Sequence, residues 1–220
     1  MGIEATDIST TASAAAIVFE ALRKAIIEGE LKDGAPLRQD EIARMFNTSR
    51  IPVREAITRL EQQGLVKTKR FKGAVVAGIS PKEVGEIFDF RSLLEGEVVA
   101  AAVPQMTRET LASAREYCER FSNSTDPMEW GTLNRHFHFA LYRDSHLAYH
   151  LGIVENSLDR IDRYLRAQLA LTDGMTRANK EHMAILVACE KRDAALAARL
   201  TRQHIQGAKK TLLAYLDQKK

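Results

Sequence analysis

Apolar residues recur at two different spacings along the chain. From Ala14 to Glu28, Ile17, Ala21, Leu22, Ala25 and Ile26 return at intervals of three and four, which predicts an amphipathic helix with those five side chains inward and Gly29 as its stop. After the turn-forming Asp33-Gly34-Ala35-Pro36, a short helix is predicted over Asp40 to Phe46, with Ile42, Ala43 and Phe46 inward. A third helix is expected to start at Ser49, a good N-cap residue, and to run to Gln63 before Gly64, with Pro52 in its first turn. The spacing then changes. Leu65-Val66-Lys67-Thr68 and Ala74-Val75-Val76-Ala77 read as two short strands joined by a basic loop, Lys69 to Gly73.

From residue 80 onward the pattern is helical throughout. Ser80-Pro81-Lys82-Glu83 combines a cap, a proline at the first helical position and a glutamate three residues after the cap. That helix is expected to reach about Val103, before Pro104, with a break near Asp89. Further helices fit Arg108 to Phe121, Pro127 to Arg143, Leu147 to Leu169, Met175 to Lys191 and Ala194 to Leu216, and Asp126-Pro127-Met128-Glu129 repeats the capping pattern. The expected fold is therefore mainly α, an N-terminal winged helix-turn-helix followed by a C-terminal all-helical antiparallel bundle. Residues 1–13 are expected to be a flexible tail, 14–78 a DNA-binding domain, and 80–220 a helical effector-binding and dimerisation domain.

Charge sharpens this picture. The net charge of the 220 residues is only +3, but Arg38 to Gly73 holds nine basic residues against four acidic ones, so the positive field is local. In the third helix Val53, Ala56, Ile57 and Leu60 make one apolar stripe, while Arg50, Arg54 and Thr58 share a polar face. An arginine projected into a major groove can donate two hydrogen bonds to a guanine edge or grip phosphate. Thr48 and Ser49 stand where hydroxyls can donate to phosphate, and Lys69, Arg70 and Lys72 of the hairpin loop are placed to reach the flanking backbone or the minor groove. A solvated basic face is the ordinary explanation of such charges taken singly. The conjunction of helix order, turn, arginine spacing and basic hairpin favours DNA.

Two further clusters carry candidate chemistry. Asn134 and His138 lie one helical turn apart, and His182 and His204 fall in two later helices whose short connection at Arg192-Asp193 brings them to matching heights if they pack antiparallel. Three imidazoles and an amide oxygen converging in a bundle suit a divalent metal, zinc or nickel, with open positions for a carboxylate. Isolated histidines are more often surface or packing residues, which is the reading of His136, His146 and His150. Arg91, Arg160 and Arg163 are candidate partners for an acidic effector, although exposed helix charges would account for them equally. Cys118 and Cys189 read as buried free thiols. No apolar run approaches the ~18 residues of a membrane span and the N-terminus lacks a secretory pattern, so a cytoplasmic protein is expected.

The motif Ser49-Arg50-Ile51-Pro52-Val53-Arg54-Glu55-Ala56-Ile57, with Leu37-Arg38-Gln39-Asp40-Glu41-Ile42-Ala43, Arg59-Leu60-Glu61, Gly64-Leu65-Val66 and Gly73, resembles the DNA-binding domain of the GntR family of regulators. The resemblance implies that Arg50 and Arg54 contact the operator, that Arg38 precedes the first reading helix and Arg70 lies in the wing, and that a homodimer binds a short inverted repeat of double-stranded DNA. Residues 80–216 resemble the FCD effector domain of the FadR-type subfamily through Arg91-x-x-Leu94-Glu95, Asn134-x-x-Phe137-His138, Glu181-His182, Asp193 and His204-Ile205. Metal-binding members usually carry Asp where this chain has Asn134, followed by histidines matching His138, His182 and His204. The neutral amide of Asn134 is a weaker ligand than a carboxylate, so either the four-residue site binds metal less tightly or the three histidines chiefly hold the ion. The implied protein is a regulator without enzymatic activity, expected to be a repressor, whose grip on DNA responds to a small organic acid that shifts the helices and the spacing of the two recognition helices in the dimer. The alternatives are a regulator that needs no metal and a metal-dependent enzyme fused to a DNA reader.

Overall fold

The computed structural model describes residues 13–171 and 174–217. The polar stretch read as a tail lies, apart from Ser13, outside them. The chain divides into two compact units, Met1–Gly78 and Ile79–Lys220.

The first unit packs α1 (Ala14–Ile27), α2 (Gln39–Met45) and α3 (Arg50–Gln62) under an antiparallel hairpin, β1 (Val66–Lys69) and β2 (Gly73–Val76), in the register Val66↔Val76 to Lys69↔Gly73. The third helix buries Val53, Ala56, Ile57 and Leu60, the four residues its stripe predicted, against Val18, Phe19, Leu22 and Ile26 of α1. The buried face of α1 differs from the expected one. Val18, Phe19, Leu22, Ile26 and Ile27 point inward, whereas Ile17 is 53% exposed. The run from Ala14 to Phe19 is apolar at every position, so its own pattern leaves the helix phase open, and the stripe that includes the large Phe19 ring is the one that packs. Ser49 stands at the cap position of α3 in extended backbone, but its hydroxyl makes no capping bond. A backbone bond from Thr68 N–H to Glu61 Oε1 (2.9 Å) ties β1 to the end of α3.

Between the strands, Lys72 N–H donates to Lys69 O (3.1 Å), closing a turn whose second inner residue, Phe71, has φ +66°. A non-glycine side chain in that left-handed region costs roughly 1–2 kcal/mol. Neither its neighbours nor the core shelter the ring, which is 92% exposed.

The second unit consists, among the described residues, of α4 (Pro81–Ala102), α5 (Arg108–Asn123), α6 (Pro127–Tyr142), α7 (Ala148–Leu171), α8 (Gly174–Glu190) and α9 (Ala194–Asp217), with single 3-10 turns after α4 and α6. Ser80 caps α4 as its motif requires, its Oγ accepting from Glu83 N–H at 3.2 Å. The expected break at Asp89 does not occur. Instead, α4 is continuous through it: Asp89 Oδ1 accepts from Lys209 Nζ (2.7 Å) and Gln206 Nε2 (3.0 Å) of α9, and Phe88, Arg91 and Glu95 on the adjoining face are buried. Cys118 and Cys189 are buried free thiols, and burial pushes the Cys189 pKa up to about 12. Among the described residues, no helix is long and apolar enough to cross a membrane.

Candidate metal centre and DNA-reading surface

Three helices each place one histidine on an inward stripe. On α6 the buried sequence Leu133, Phe137, Leu141 carries His138 beside it; on α8 Ala178, Ile185 and Cys189 share a face with His182; on α9 Thr201 and Ile205 flank His204. The three rings meet with centroids 5.1 Å (His138–His182), 5.0 Å (His138–His204) and 4.8 Å (His182–His204) apart. One nitrogen from each lies within 4.8 Å of the others.

Hydrogen-bond partners fix the tautomers of two of these rings. Tyr142 Oη donates to Glu95 Oε2 (2.8 Å), so its oxygen is left to accept from His138 Nδ1–H at 3.2 Å. His204 Nδ1–H donates to Glu181 Oε2 at 2.7 Å. With both protons on Nδ1, the Nε2 lone pairs of His138 and His204 face one another at 3.2 Å. Burial holds the pKa of His138 well below its ordinary value, helped by His204, His182 and Arg91, and burial with His204 does the same for His182. A proton is therefore a poor bridge between these rings. His182 adds a second anomaly, because neither of its buried nitrogens has a hydrogen-bond partner; its ring lies between Phe121 (4.9 Å) and Phe137 (4.4 Å). Inward lone pairs and an orphaned imidazole fit a divalent ion, since neutral imidazole is a metal ligand and buried polar atoms otherwise find partners.

Arg91 is the wall of this cluster nearest the first helix of the unit. It is buried, its Nε donates to Glu95 Oε1 (2.6 Å), and Glu95 is in turn 0% exposed. Removing one partner of such a pair leaves an uncompensated buried charge at a cost of about 3–5 kcal/mol. Arg91, Asn134, Arg177 and His204 line one narrow cavity of about 30 Å³, enough for an ion and a water but not for a larger molecule without movement of the lining. Asn134 thus stands at the cavity, half-buried, one turn before His138.

Arg160 and Arg163 do not join it. Arg160 Nη2 pairs with Glu83 in the first turn of α4, and Arg163 Nη2 donates to Tyr164 Oη (3.0 Å), so both are committed elsewhere and neither lines the cavity. The residue missed by the sequence reading is Arg177 of α8. Its guanidinium occupies the space beside Gly207 where a Cβ would approach within 2.4 Å, and its Nε lies 3.9 Å from Glu181 Oε1. The Arg177-x-x-x-Glu181 spacing was a signal for it, as Tyr142 one turn after His138 was for the tyrosine. His136, His146 and His150 lie outside the cluster.

In the first unit the basic residues are displayed as the pattern predicted. Arg38, Ser49, Arg50, Arg54, Lys69, Arg70 and Lys72 are exposed, and Thr48 is half-buried. Arg50 pairs with Asp40, and Arg38 Nη1 with Glu41 Oε1 at 2.9 Å, but these surface pairs are worth at most ~1 kcal/mol and exchange readily for phosphate or a base edge. Thr58 turns its hydroxyl back to Arg54 O (2.9 Å).

Residues 14–76 match the description "Bacterial regulatory proteins, gntR family", and residues 86–207, more than half the chain, match the FCD domain. The chain belongs to the GntR family. It is a DNA-binding transcription regulator with an FCD domain. Among its relatives is the HTH-type transcriptional repressor GlaR of Escherichia coli, 27% identical over 84% of this chain and 89% of that protein. A GntR-family regulator from Pseudomonas syringae is 32% identical, with 94% of this chain and 87% of that one aligned at a TM-score of 0.58. The E. coli McbR/YncC structure shares the fold, with a TM-score of 0.81 at 23% identity over 94% of this chain and all of that one.

Proposed function

We propose that this GntR-family regulator is a homodimeric repressor that binds an inverted-repeat DNA operator and is modulated by a small carboxylate metabolite at a metal centre in its helical unit. His138, His182 and His204 would hold the ion, zinc or nickel, with Asn134 as a weaker neutral donor. Bound there, the ion supplies a Lewis-acidic anchor for a carboxylate. Arg91, which lines the cavity with its Nε anchored by Glu95, contributes a guanidinium to pair with the carboxylate. Glu181 and the Tyr142–Glu95 pair hold His204 and His138 with their Nε2 atoms inward. The observation that carries the reading is the pair of facing Nε2 atoms beside an imidazole without partners. Repression is supported by the relative GlaR, itself a transcriptional repressor.

On the DNA side, Arg50 and Arg54 read bases, while Arg38, Thr48, Ser49, Lys69, Arg70 and Lys72 hold the backbone. A ligand alters operator affinity only by preferring one of two states of the protein.

The test uses the full chain, stripped with chelator and titrated with Zn²⁺ or Ni²⁺ by calorimetry. One ion per chain is expected, and none with His138→Ala. Anisotropy with a duplex selected from a random pool then reads DNA affinity against a panel of small mono- and dicarboxylates. No stoichiometric metal, or an affinity unmoved by every acid at saturation, would overturn the sensor half of the proposal; loss of duplex preference would overturn the other half.

A further inference from the structure

The cavity beside the histidines holds about 30 Å³, so an acid of more than a few atoms enters only if one of its walls gives way. Charge indicates which wall. Arg91 of α4, Arg177 of α8 and His204 of α9 can each draw an anion in, whereas α7 presents the Asp162 carboxylate together with Leu165 and Leu169. Asp162 Oδ2 accepts from Arg166 Nε (2.6 Å) and its Oδ1 stands 3.9 Å from Arg135 Nη2, but of Asp162 and these two arginines only Asp162 lines the cavity. An entering carboxylate is therefore attracted by three helices and repelled by the fourth.

The same helix holds the start of α4. Arg160 pairs with Glu83, and Tyr164 Oη accepts from Ile79 N–H (3.2 Å) while Arg163 Nη2 donates to that oxygen (3.0 Å). Arg160 and Tyr164 are one helical turn apart and so share a face, and neither lines the cavity. Ile79 is the first residue of the second unit, and only Ala77 and Gly78 separate it from β2. Close-packed helices slide as bodies, so a displacement imposed at the cavity face of α7 is felt at the face that grips Ile79 and Glu83. We propose that α7 is the moving part of the sensor: an acid in the cavity displaces Asp162 with its helix, and the displacement loosens the Tyr164–Ile79 bond and the Arg160–Glu83 pair where the chain leaves the DNA-reading unit. This rests on the proposed acid-binding site and names the route by which its occupancy reaches the operator. Tyr164 and Arg160 are positioning residues in that route.

The experiment compares wild type, Tyr164→Phe and Glu83→Gln as full-length, Zn²⁺-loaded proteins, with melting curves to verify that each is folded. Calorimetry measures the binding of acetate, lactate and succinate, and anisotropy measures affinity for a selected duplex with and without each acid at saturation. In wild type the acid that binds best is expected to change duplex affinity about tenfold, and in both variants that factor should shrink to about threefold or less. Acid affinity and acid-free duplex affinity should stay within about threefold of wild type, which a merely destabilised fold would not do. Hydrogen exchange gives a readout independent of DNA. In a peptide spanning residues 74–84, the Ile79 amide should be protected in acid-free wild type, exposed when acid binds, and already fast in Tyr164→Phe. Variants that keep the full wild-type response, or an Ile79 amide whose exchange ignores a bound acid, overturn the inference and leave the acid site standing. A wild type that binds none of the three acids, or whose duplex affinity none of them moves, overturns the reading of the site and this inference with it.

Discussion

Replacing His182 with leucine separates the cost of this centre from its use. The side chain is wholly buried, and a neutral imidazole carries one donor and one acceptor, neither of which has a partner here. An orphaned buried polar group costs about 1–3 kcal/mol, and leucine has a similar volume with no polar atom. Against that gain, the substitution loses ring contacts with Phe121 and Phe137, worth about 0.5–1.5 kcal/mol each. In chelator at pH 7.5, His182→Leu is therefore expected to stabilise the helical unit by about 1–2 kcal/mol. The pH dependence adds a second signature. The folded pKa of His182 is held well below the unfolded value of ~6.5, so the unfolded chain takes up protons first and stability is lost as pH falls through that value. At pH 5.5 this amounts to about 1.4 kcal/mol for each such histidine. His138 shares the behaviour and the pKa of His136 is also lowered by burial, so His182→Leu should remove part of the acid loss. With metal at a hundredfold excess over its dissociation constant, wild type should gain about 2.7 kcal/mol and the variant little. The assay is urea unfolding followed by tryptophan fluorescence, because the single tryptophan, Trp130, lies in α6 and reports this unit. A variant less stable than wild type in chelator, or one still stabilised by metal, would refute the reasoning.

Two further outcomes follow from the same geometry. Glu181→Gln keeps the shape but removes the charge that accepts from His204 Nδ1–H, so metal affinity should drop about 10–100-fold by calorimetry, with melting temperature in chelator changed little. Cys189, buried and with its pKa raised to about 12, should resist iodoacetamide at pH 8 until urea unfolds the chain; mass spectrometry showing rapid labelling of the native protein would contradict its placement.

Much of this protein is settled by local chemistry that its sequence displays. The cap at Ser80, the α3 stripe of Val53, Ala56, Ile57 and Leu60, and the glycine-bounded hairpin depend on residues close in the chain, so spacing alone determines them. The pairing of His182 with His204 was legible in outline, because the short turn between α8 and α9 sets them at matching heights once those helices pack antiparallel, whereas His138 joins them only through the packing of α6. What spacing left open was decided by packing between distant segments. The all-apolar start of α1 has no preferred phase until Phe19 finds its place against α3, and the continuity of α4 through Asp89 is supported by Lys209 and Gln206 from α9. The arginines illustrate the same limit: Arg160, Arg163 and Arg177 look alike along a helix, and only the partners brought by the fold, Glu83, Tyr164 and the gap above Gly207, direct the first two away from the cavity and the third into it.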